Sequence, residues 1–272
     1  MEGYVFDYRL GYVRDACSLP GFDVFGSDDA PQGRIVTLGG YTTAEQARDG
    51  GSWAECLHGR LSGSHQIYNG CTDGYAASQI LAMLIREAIL LRPRRIICLS
   101  GYYDVAYGLG FIPDRADADL IKTHPFVTPG QIEIIRGITP YLGLGKDAVF
   151  YGTDVHISAT ALWLRRMAEM KYLCDEFGIV FSSLLQPCVF SGAYQRGKEE
   201  NRALMSLYGL GAGELDDICV AFKREYRAMA EGAQEFGYVA DLSGIFDRHK
   251  DVYRDACHVK DEFMAMLMEY II

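Results

Sequence analysis

The 272-residue chain lacks several features that would each define a class of protein. It contains no run of about 18 apolar residues, so we expect no membrane-spanning segment. The N-terminal sequence MEGYVFDYRLGYVRDA is charged throughout and has no apolar core, so no signal peptide is predicted and a cytoplasmic location is expected. Basic residues are outnumbered by acidic ones, and the formal net charge of −10 argues against a nucleic acid as partner.

The eight cysteines form neither a disulfide framework nor a metal-binding pattern. No Cys-x-x-Cys pair occurs, and several cysteines lie within apolar segments, as Cys98 does in the run IICLS. We therefore expect mostly reduced core thiols. Asp154 and His156 could suggest a metal pair, but no third ligand is evident, and we expect neither a metal nor a cofactor.

What the chain does contain is an alternation of apolar runs and helical periodicity. The runs typical of buried strands lie at 34–38, 65–68, 95–100, 179–185 and 238–242. Helical spacing appears between and after them, at 53–61, 76–91, 159–177, 214–236 and from Asp261 onward. This order predicts an α/β fold with a central parallel sheet of five strands.

Two stretches depart from the alternation. Residues 1–33 are rich in aromatic residues and glycine, and we expect them to form an N-terminal arm on a domain that spans 34–272. Residues 105–158 are rich in Gly, Pro and Tyr, which predicts a long insertion after the third strand. Insertions of this kind are usually lids or binding loops.

Four loops follow the carboxyl ends of predicted strands, at 39–43, 69–75, 101–104 and 241–258. In a doubly wound sheet such loops converge on one edge, where ligands bind. The last loop contains Asp255-x-x-His258. At this spacing the carboxylate can accept a hydrogen bond from the imidazole Nδ1–H, which leaves Nε2 as a general base. A surface pair without a catalytic role would have the same spacing.

Four segments, in this order along the chain, resemble the sequence blocks of the SGNH (GDSL-like) hydrolase superfamily. RIVTLGGYTT resembles block I, which reads G-G-S-T-T in one branch; NGCTDGYAASQ resembles block II; IICLSGYYD resembles block III, S-G-x-N-D; and DACH resembles block V, D-x-x-H. The resemblance covers the chain from about Gly21 to the end. It implies a flavodoxin-like three-layer α/β/α domain that cleaves esters, often acetyl groups on sugars, or lipids.

The resemblance also assigns roles, and this chain departs from several of them. In the family, the block I serine is the nucleophile, and block I and II backbone N–H groups with the block III asparagine form the oxyanion hole. Here the serine position is Tyr41 and the asparagine position is Tyr103. The block II glycine corresponds to Cys71 or, one residue earlier, to Gly70. The aspartate and histidine of block V are retained.

The cost of these departures can be weighed. A phenol has a pKa of about 10, against about 6.5 for histidine, so deprotonation of Tyr41 is conceivable. Its ring, however, carries the oxygen several ångströms beyond the position of a serine Oγ. Loss of one oxyanion donor costs roughly 10²–10³ in rate, and loss of a triad nucleophile costs roughly 10⁶. We therefore expect ester hydrolysis by the family route to be very weak.

Three hypotheses follow. The first is a degraded hydrolase that binds a small glycan or an acylated metabolite, with Tyr41, Tyr75, Tyr102 and Tyr103 as an aromatic platform. The second is an active esterase or acyltransferase that uses Cys71 or Thr42 as nucleophile and His258–Asp255 as base. The third is a subunit of an assembly in which a partner supplies the chemistry.

The remaining site residues are predicted to bind or to support the loops. Gly40, Thr42, Gly70 and Tyr103 are expected beside the ligand. Asn69 and Asp104 are expected to hold the loops in place by hydrogen bonds rather than to act on a substrate.

Overall fold

The computed structural model describes residues 4–7, 11–14, 22–40, 52–72, 74–109 and 158–271. The strands are β1 (Tyr4–Asp7), β2 (Gly11–Arg14), β3 (Asp23–Phe25), β4 (Arg34–Gly39), β5 (Gln66–Asn69), β6 (Arg95–Ser100), β7 (Val180–Leu185) and β8 (Val239–Asp241). The α-helices are α1 (Trp53–Arg60), α2 (Ala77–Met83), α3 (Tyr102–Gly108), α4 (Ala159–Glu176), α5 (Lys198–Tyr208), α6 (Ala212–Gly232) and α7 (Asp261–Glu269). Strands β1 and β2 form a separate antiparallel pair.

The other six strands form one sheet in the order β3-β5-β4-β6-β7-β8. The pairs from β5 to β8 are all parallel, and β3 alone is antiparallel to its neighbour β5. All five predicted strands are present within two residues of their expected ends. The predicted count of five is nevertheless one short, because β3 lies within residues 1–33 and joins the sheet. Three half-buried residues are too few to show strand periodicity in the sequence.

Helices cover both faces of this sheet, which gives the predicted three layers. On β6, Ile96 and Cys98 face the larger cluster of buried side chains, which includes Trp163 of α4. Ile97 and Leu99 face a smaller cluster to which α1 and α7 contribute. Because both faces are covered, the central strands are buried along nearly their whole length, as their apolar sequences require.

The helix ends follow local chemistry. Ser52 caps α1, and its Oγ accepts a hydrogen bond from the Glu55 backbone N–H at 3.2 Å. Helix α2 continues through a π-helical turn and a 3₁₀ turn to Leu91, and the chain then reverses at Arg92 (φ +50°), just before Pro93. Within the described ranges, no helix is both long and apolar enough to cross a membrane.

The prediction of a loop at 101–104 is wrong, because helix α3 begins at Tyr102. Gly101 makes the turn out of β6 with φ at +120°, and six successive residues, 102–107, are then buried. Packing thus imposes a helix on a Tyr-rich sequence of modest helical propensity. The helix takes up the first residues of the predicted insertion. Residues 110–157 of that insertion, with Asp154 and His156, lie outside the described residues.

The turn at Gly101 generates a stability prediction. A Cβ at this position would lie 2.6 Å from Cδ1 of Leu185, and the substituted residue would also have to adopt a positive φ. We expect Gly101→Ala to lower the free energy of unfolding by about 1–3 kcal/mol in urea denaturation. The matched control is Gly59→Ala in α1, where no heavy atom lies within 4 Å of the added Cβ. Equal effects of the two substitutions would contradict this account.

Candidate functional site

The loop that joins β8 to α7 places Asp255 and His258 side by side. Tyr253 and Val259 form an antiparallel bridge that closes the loop, and the Arg254 backbone N–H donates to the His258 carbonyl oxygen at 2.9 Å. The chain between these points is therefore a tight turn, and its geometry holds the two predicted side chains together.

Within this turn the carboxylate of Asp255 uses both oxygens. Oδ2 is in direct contact with Nδ1 of His258. Oδ1 accepts hydrogen bonds from the backbone N–H groups of Cys257 and His258, each at 2.9 Å. Burial acts to raise the pKa of Asp255, but the hydrogen bond and charge of His258, with the two backbone N–H groups, lower it overall. The imidazole is buried, with 6% of its residue surface exposed, and the charged carboxylate fixes its orientation.

A buried glutamate, which the sequence did not suggest, anchors the same loop. Oε1 of Glu200 accepts from the Tyr253 backbone N–H at 3.1 Å and from the Tyr194 hydroxyl at 2.6 Å. That hydroxyl in turn accepts from the Val252 N–H at 3.0 Å. Oε2 accepts from the Gly197 N–H at 2.8 Å, the arrangement of a helix N-terminal box. The spacing Gly197-x-x-Glu200 was the only available sequence signal, and it indicates a helix start rather than a site.

Tyr103 and the backbone of Tyr75 pack closely against Gly40, in the loop after β4. A Cβ on Gly40 would lie 2.7 Å from Cδ2 of Tyr103 and 3.2 Å from the Tyr75 carbonyl oxygen. The ring of Tyr103, the residue that the resemblance aligns with the family's asparagine, therefore packs against the turn after β4. Tyr41 and Thr42, which follow Gly40, lie outside the described residues.

The tyrosines of the predicted platform are core residues. Tyr75 and Tyr102 are fully buried, and Tyr103 is 9% exposed. The ring of Tyr103 contacts Tyr102 edge-on at a centroid distance of 5.1 Å and Tyr107 at 5.6 Å. The prediction of an open aromatic platform is therefore wrong for these three tyrosines, because all three belong to the larger cluster of buried side chains instead of facing solvent.

The block II loop turns its hydrogen-bonding groups toward β4. The Gly70 N–H donates to the Thr37 carbonyl oxygen at 2.9 Å. Oδ1 of Asn69 accepts from the Thr37 hydroxyl at 3.0 Å and from the Cys71 N–H at 3.3 Å. Both backbone N–H groups predicted as oxyanion donors are thus engaged within the protein. Asn69 thus links its own loop to β4 through these hydrogen bonds.

Asp104 has a similar supporting contact. Its side chain is buried, and Oδ1 accepts from the Ala77 backbone N–H at 3.0 Å, at the first residue of α2. A carboxylate at this point stabilises the orphan N–H groups and the positive end of the helix dipole. The block III segment is thereby tied to helix α2, which begins within the last residues of the block II segment.

The cysteines are predominantly core residues. Of the seven described cysteines, five are buried and two, Cys56 and Cys219, are partly exposed; Cys17 lies outside the described residues. Burial raises the pKa of Cys98 to about 12 and that of Cys188 to about 11. Cys71 has no exposed surface, and its Sγ lies 4.0 Å from Oγ1 of Thr37. A thiol in this setting is a packing group rather than an accessible nucleophile.

Neither a protein-family model nor a curated protein matches the chain. Two solved esterase structures do align with it. The acetyl xylan esterase AlAXEase aligns with 10% identity and a TM-score of 0.51, over 88% of this chain and 97% of that protein. A catalytic mutant of Axe2, an acetylxylan esterase from Geobacillus stearothermophilus, aligns with 11% identity and a TM-score of 0.51, over 88% and 91%. At such low identity the likeness concerns the fold alone: the chain has the fold of these esterases, which agrees with the fold implied by its resemblance to the SGNH (GDSL-like) superfamily.

The burial of Cys71 predicts its chemical reactivity. In native protein treated with iodoacetamide, we expect Cys71 to be alkylated at least tenfold more slowly than the partly exposed Cys219, because only an accessible thiolate reacts. Peptide mass spectrometry over time measures both rates, and unfolded protein in urea should lose the difference. Equally fast modification of Cys71 in the native state would restore it as a candidate nucleophile.

Proposed function

We propose that this chain is a hydrolase-like protein with a degraded ester-hydrolase site, and that it binds a small glycan or an acylated metabolite without cleaving it. The observation that carries the proposal is the engagement of both block II donors. The N–H groups of Gly70 and Cys71 already bond to β4 and to Asn69. A tetrahedral oxyanion would have to break those bonds to be stabilised there.

The block III position supports the same conclusion. The family's asparagine donates a side-chain N–H to the oxyanion, whereas Tyr103 lays a ring against Gly40. Together with Tyr41 in place of the serine, this leaves three of the family's catalytic elements altered. Loss of the nucleophile alone corresponds to a rate deficit of roughly 10⁶.

The intact elements favour binding over an inert scaffold. His258 is held by a charged carboxylate in a loop that Glu200 anchors from inside the protein. An oriented imidazole can hydrogen-bond a sugar hydroxyl or an acyl carbonyl oxygen. The esterase names of the structural neighbours suggest acetylated xylo-oligosaccharides as the first ligands to test.

The alternative, an active esterase or acyltransferase with a substitute nucleophile, is less well supported. Cys71 is fully buried, and its loop is bonded to β4. Thr42 lies outside the described residues, so the geometry neither favours nor opposes it.

The proposal predicts binding that depends on His258 and hydrolysis that does not. We expect calorimetry to show binding of an acetylated xylo-oligosaccharide by the wild type, weakened at least fivefold in His258→Ala, because the substitution removes one directed hydrogen bond. Any release of acetate by the wild type should equal that of His258→Ala. The matched control is His65→Ala, since His65 precedes β5 and lies at the opposite edge of the sheet.

Two results would contradict this function. Acetate release that falls at least a hundredfold in His258→Ala would indicate a working hydrolase. Identical ligand affinities of the wild type and His258→Ala would show that the retained pair does not contact the ligand.

A further inference from the structure

We propose that Asp255, Cys257 and His258 together bind one divalent transition-metal ion of the zinc class. A carboxylate oxygen, a thiol sulfur and an imidazole nitrogen from these residues all lie within 4.8 Å of one another. Among the residues that the structure describes, no other group of three such side chains comes together in this way.

The donor set suits zinc and its neighbours in the transition series. Zinc binds Cys sulfur at about 2.3 Å and His nitrogen or Asp oxygen at about 2.0–2.2 Å, so tetrahedral donors stand roughly 3.3–3.7 Å apart. Since no two of the three donors are more than 4.8 Å apart, the Cys257 sulfur has to move by about an ångström or slightly more at most. Oδ2 of Asp255 and Nδ1 of His258, which are in direct contact, have to move apart to admit the ion between them, and side-chain rotation can supply both changes. Three protein ligands leave a fourth position for water or an exogenous ligand. Calcium and magnesium are disfavoured, because they select oxygen ligands.

The loop presents these donors in a largely fixed arrangement. The bridge between Tyr253 and Val259 closes the turn, and the Val189 N–H donates to the Ala256 carbonyl oxygen at 2.9 Å. The side chain of Asp255 is held further by the two hydrogen bonds that its Oδ1 accepts from backbone N–H groups. A site that is already ordered loses less conformational entropy when it binds.

Coordination has a defined proton balance. The Cys257 thiol releases its proton to solvent and binds as thiolate. The imidazole binds as the neutral ring, and where Nδ1 is the ligand its proton resides on Nε2. The ion then takes the place of the hydrogen bond between His258 and Asp255. A bound metal would therefore remove the oriented base and hold the same loop by coordination instead.

This inference differs from the expectation of no metal. These donors occupy positions i, i+2 and i+3 of one turn, a spacing that differs from that of a Cys-x-x-Cys pair. Cys257 differs from the other described cysteines in having nitrogen and oxygen donors within reach. The proposal does not depend on the ligand proposed for the protein.

Cobalt(II) provides a direct test on the full chain, reduced and freed of metal with a chelator. We expect one equivalent of Co²⁺ to produce a sulfur-to-metal charge-transfer band in the near ultraviolet, and Zn²⁺ to abolish it by competition. Cys257→Ser should remove the band. Asp255→Asn keeps acceptors for the backbone N–H groups, so its loop should persist while Co²⁺ affinity falls at least tenfold. His258→Ala should weaken binding similarly.

The control variants are Cys219→Ser and Cys56→Ser, which replace the partly exposed thiols outside the cluster. Both should bind Co²⁺ like the wild type, and circular dichroism should show that every variant is folded. A band that survives in Cys257→Ser, or that disappears in either control, would overturn the proposal, as would a wild type that shows no thiolate band. Because the readout needs no ester or glycan, its failure would leave the proposed function standing.

Discussion

The pairing of β4 with β5 on one side and β6 on the other is the constraint on which the site depends. Residues 34–37 bond in parallel to 66–69, and residues 35–39 bond in parallel to 95–99. The next strand along the chain, β5, lies on one side of β4, and the strand after it, β6, lies on the other side. The carboxyl ends of these three strands therefore meet at a topological switch point. Gly40, Gly70 and Gly101 stand just beyond those ends, and each approaches another part of the protein too closely for a Cβ.

At this edge, groups to which the resemblance would assign catalytic roles take part in contacts that stabilise the fold. A backbone hydrogen bond such as that from Gly70 to Thr37 contributes about 0.5–1.5 kcal/mol to folding. An oxyanion donor contributes about 2.7–4 kcal/mol to the transition state of a working hydrolase. Burial of an aromatic side chain such as Tyr103 adds roughly 1.5–3 kcal/mol of stability. The segments that the resemblance assigns to the oxyanion hole are thus part of the core, while Asp255 contacts His258 directly in a separate loop.

The block II and III segments and the loop that holds His258 are anchored by different parts of the chain. A substitution in one of them therefore need not alter the other. The block II and III segments are tied to β4 and α2 through Asn69 and Asp104. The loop with His258 is tied to α5 through Glu200. A tyrosine at position 103 therefore leaves in place the contacts that orient the imidazole of His258.

The sequence predicted the features that rest on local patterns. Buried parallel strands appear as apolar runs, and a carboxylate three residues before a histidine can reach its ring. Helix α3 was missed because Gly101 followed by tyrosines reads as a loop, whereas the helix exists through its burial. The prediction of an aromatic platform was wrong because tyrosine is common both at surfaces and in cores. The presence of a tyrosine in the sequence therefore does not indicate whether its ring faces solvent. The contact of Glu200 with Tyr253 joins residues 53 positions apart, and no local pattern indicates it.

If the proposed function is right, His258 activates no hydroxyl nucleophile in this protein. Treatment of the wild type with a fluorophosphonate, followed by intact mass measurement, tests it most directly, with an active acetyl xylan esterase as positive control. We expect no covalent adduct under conditions that label the control completely. A stoichiometric adduct on the wild type that disappears in His258→Ala would contradict it.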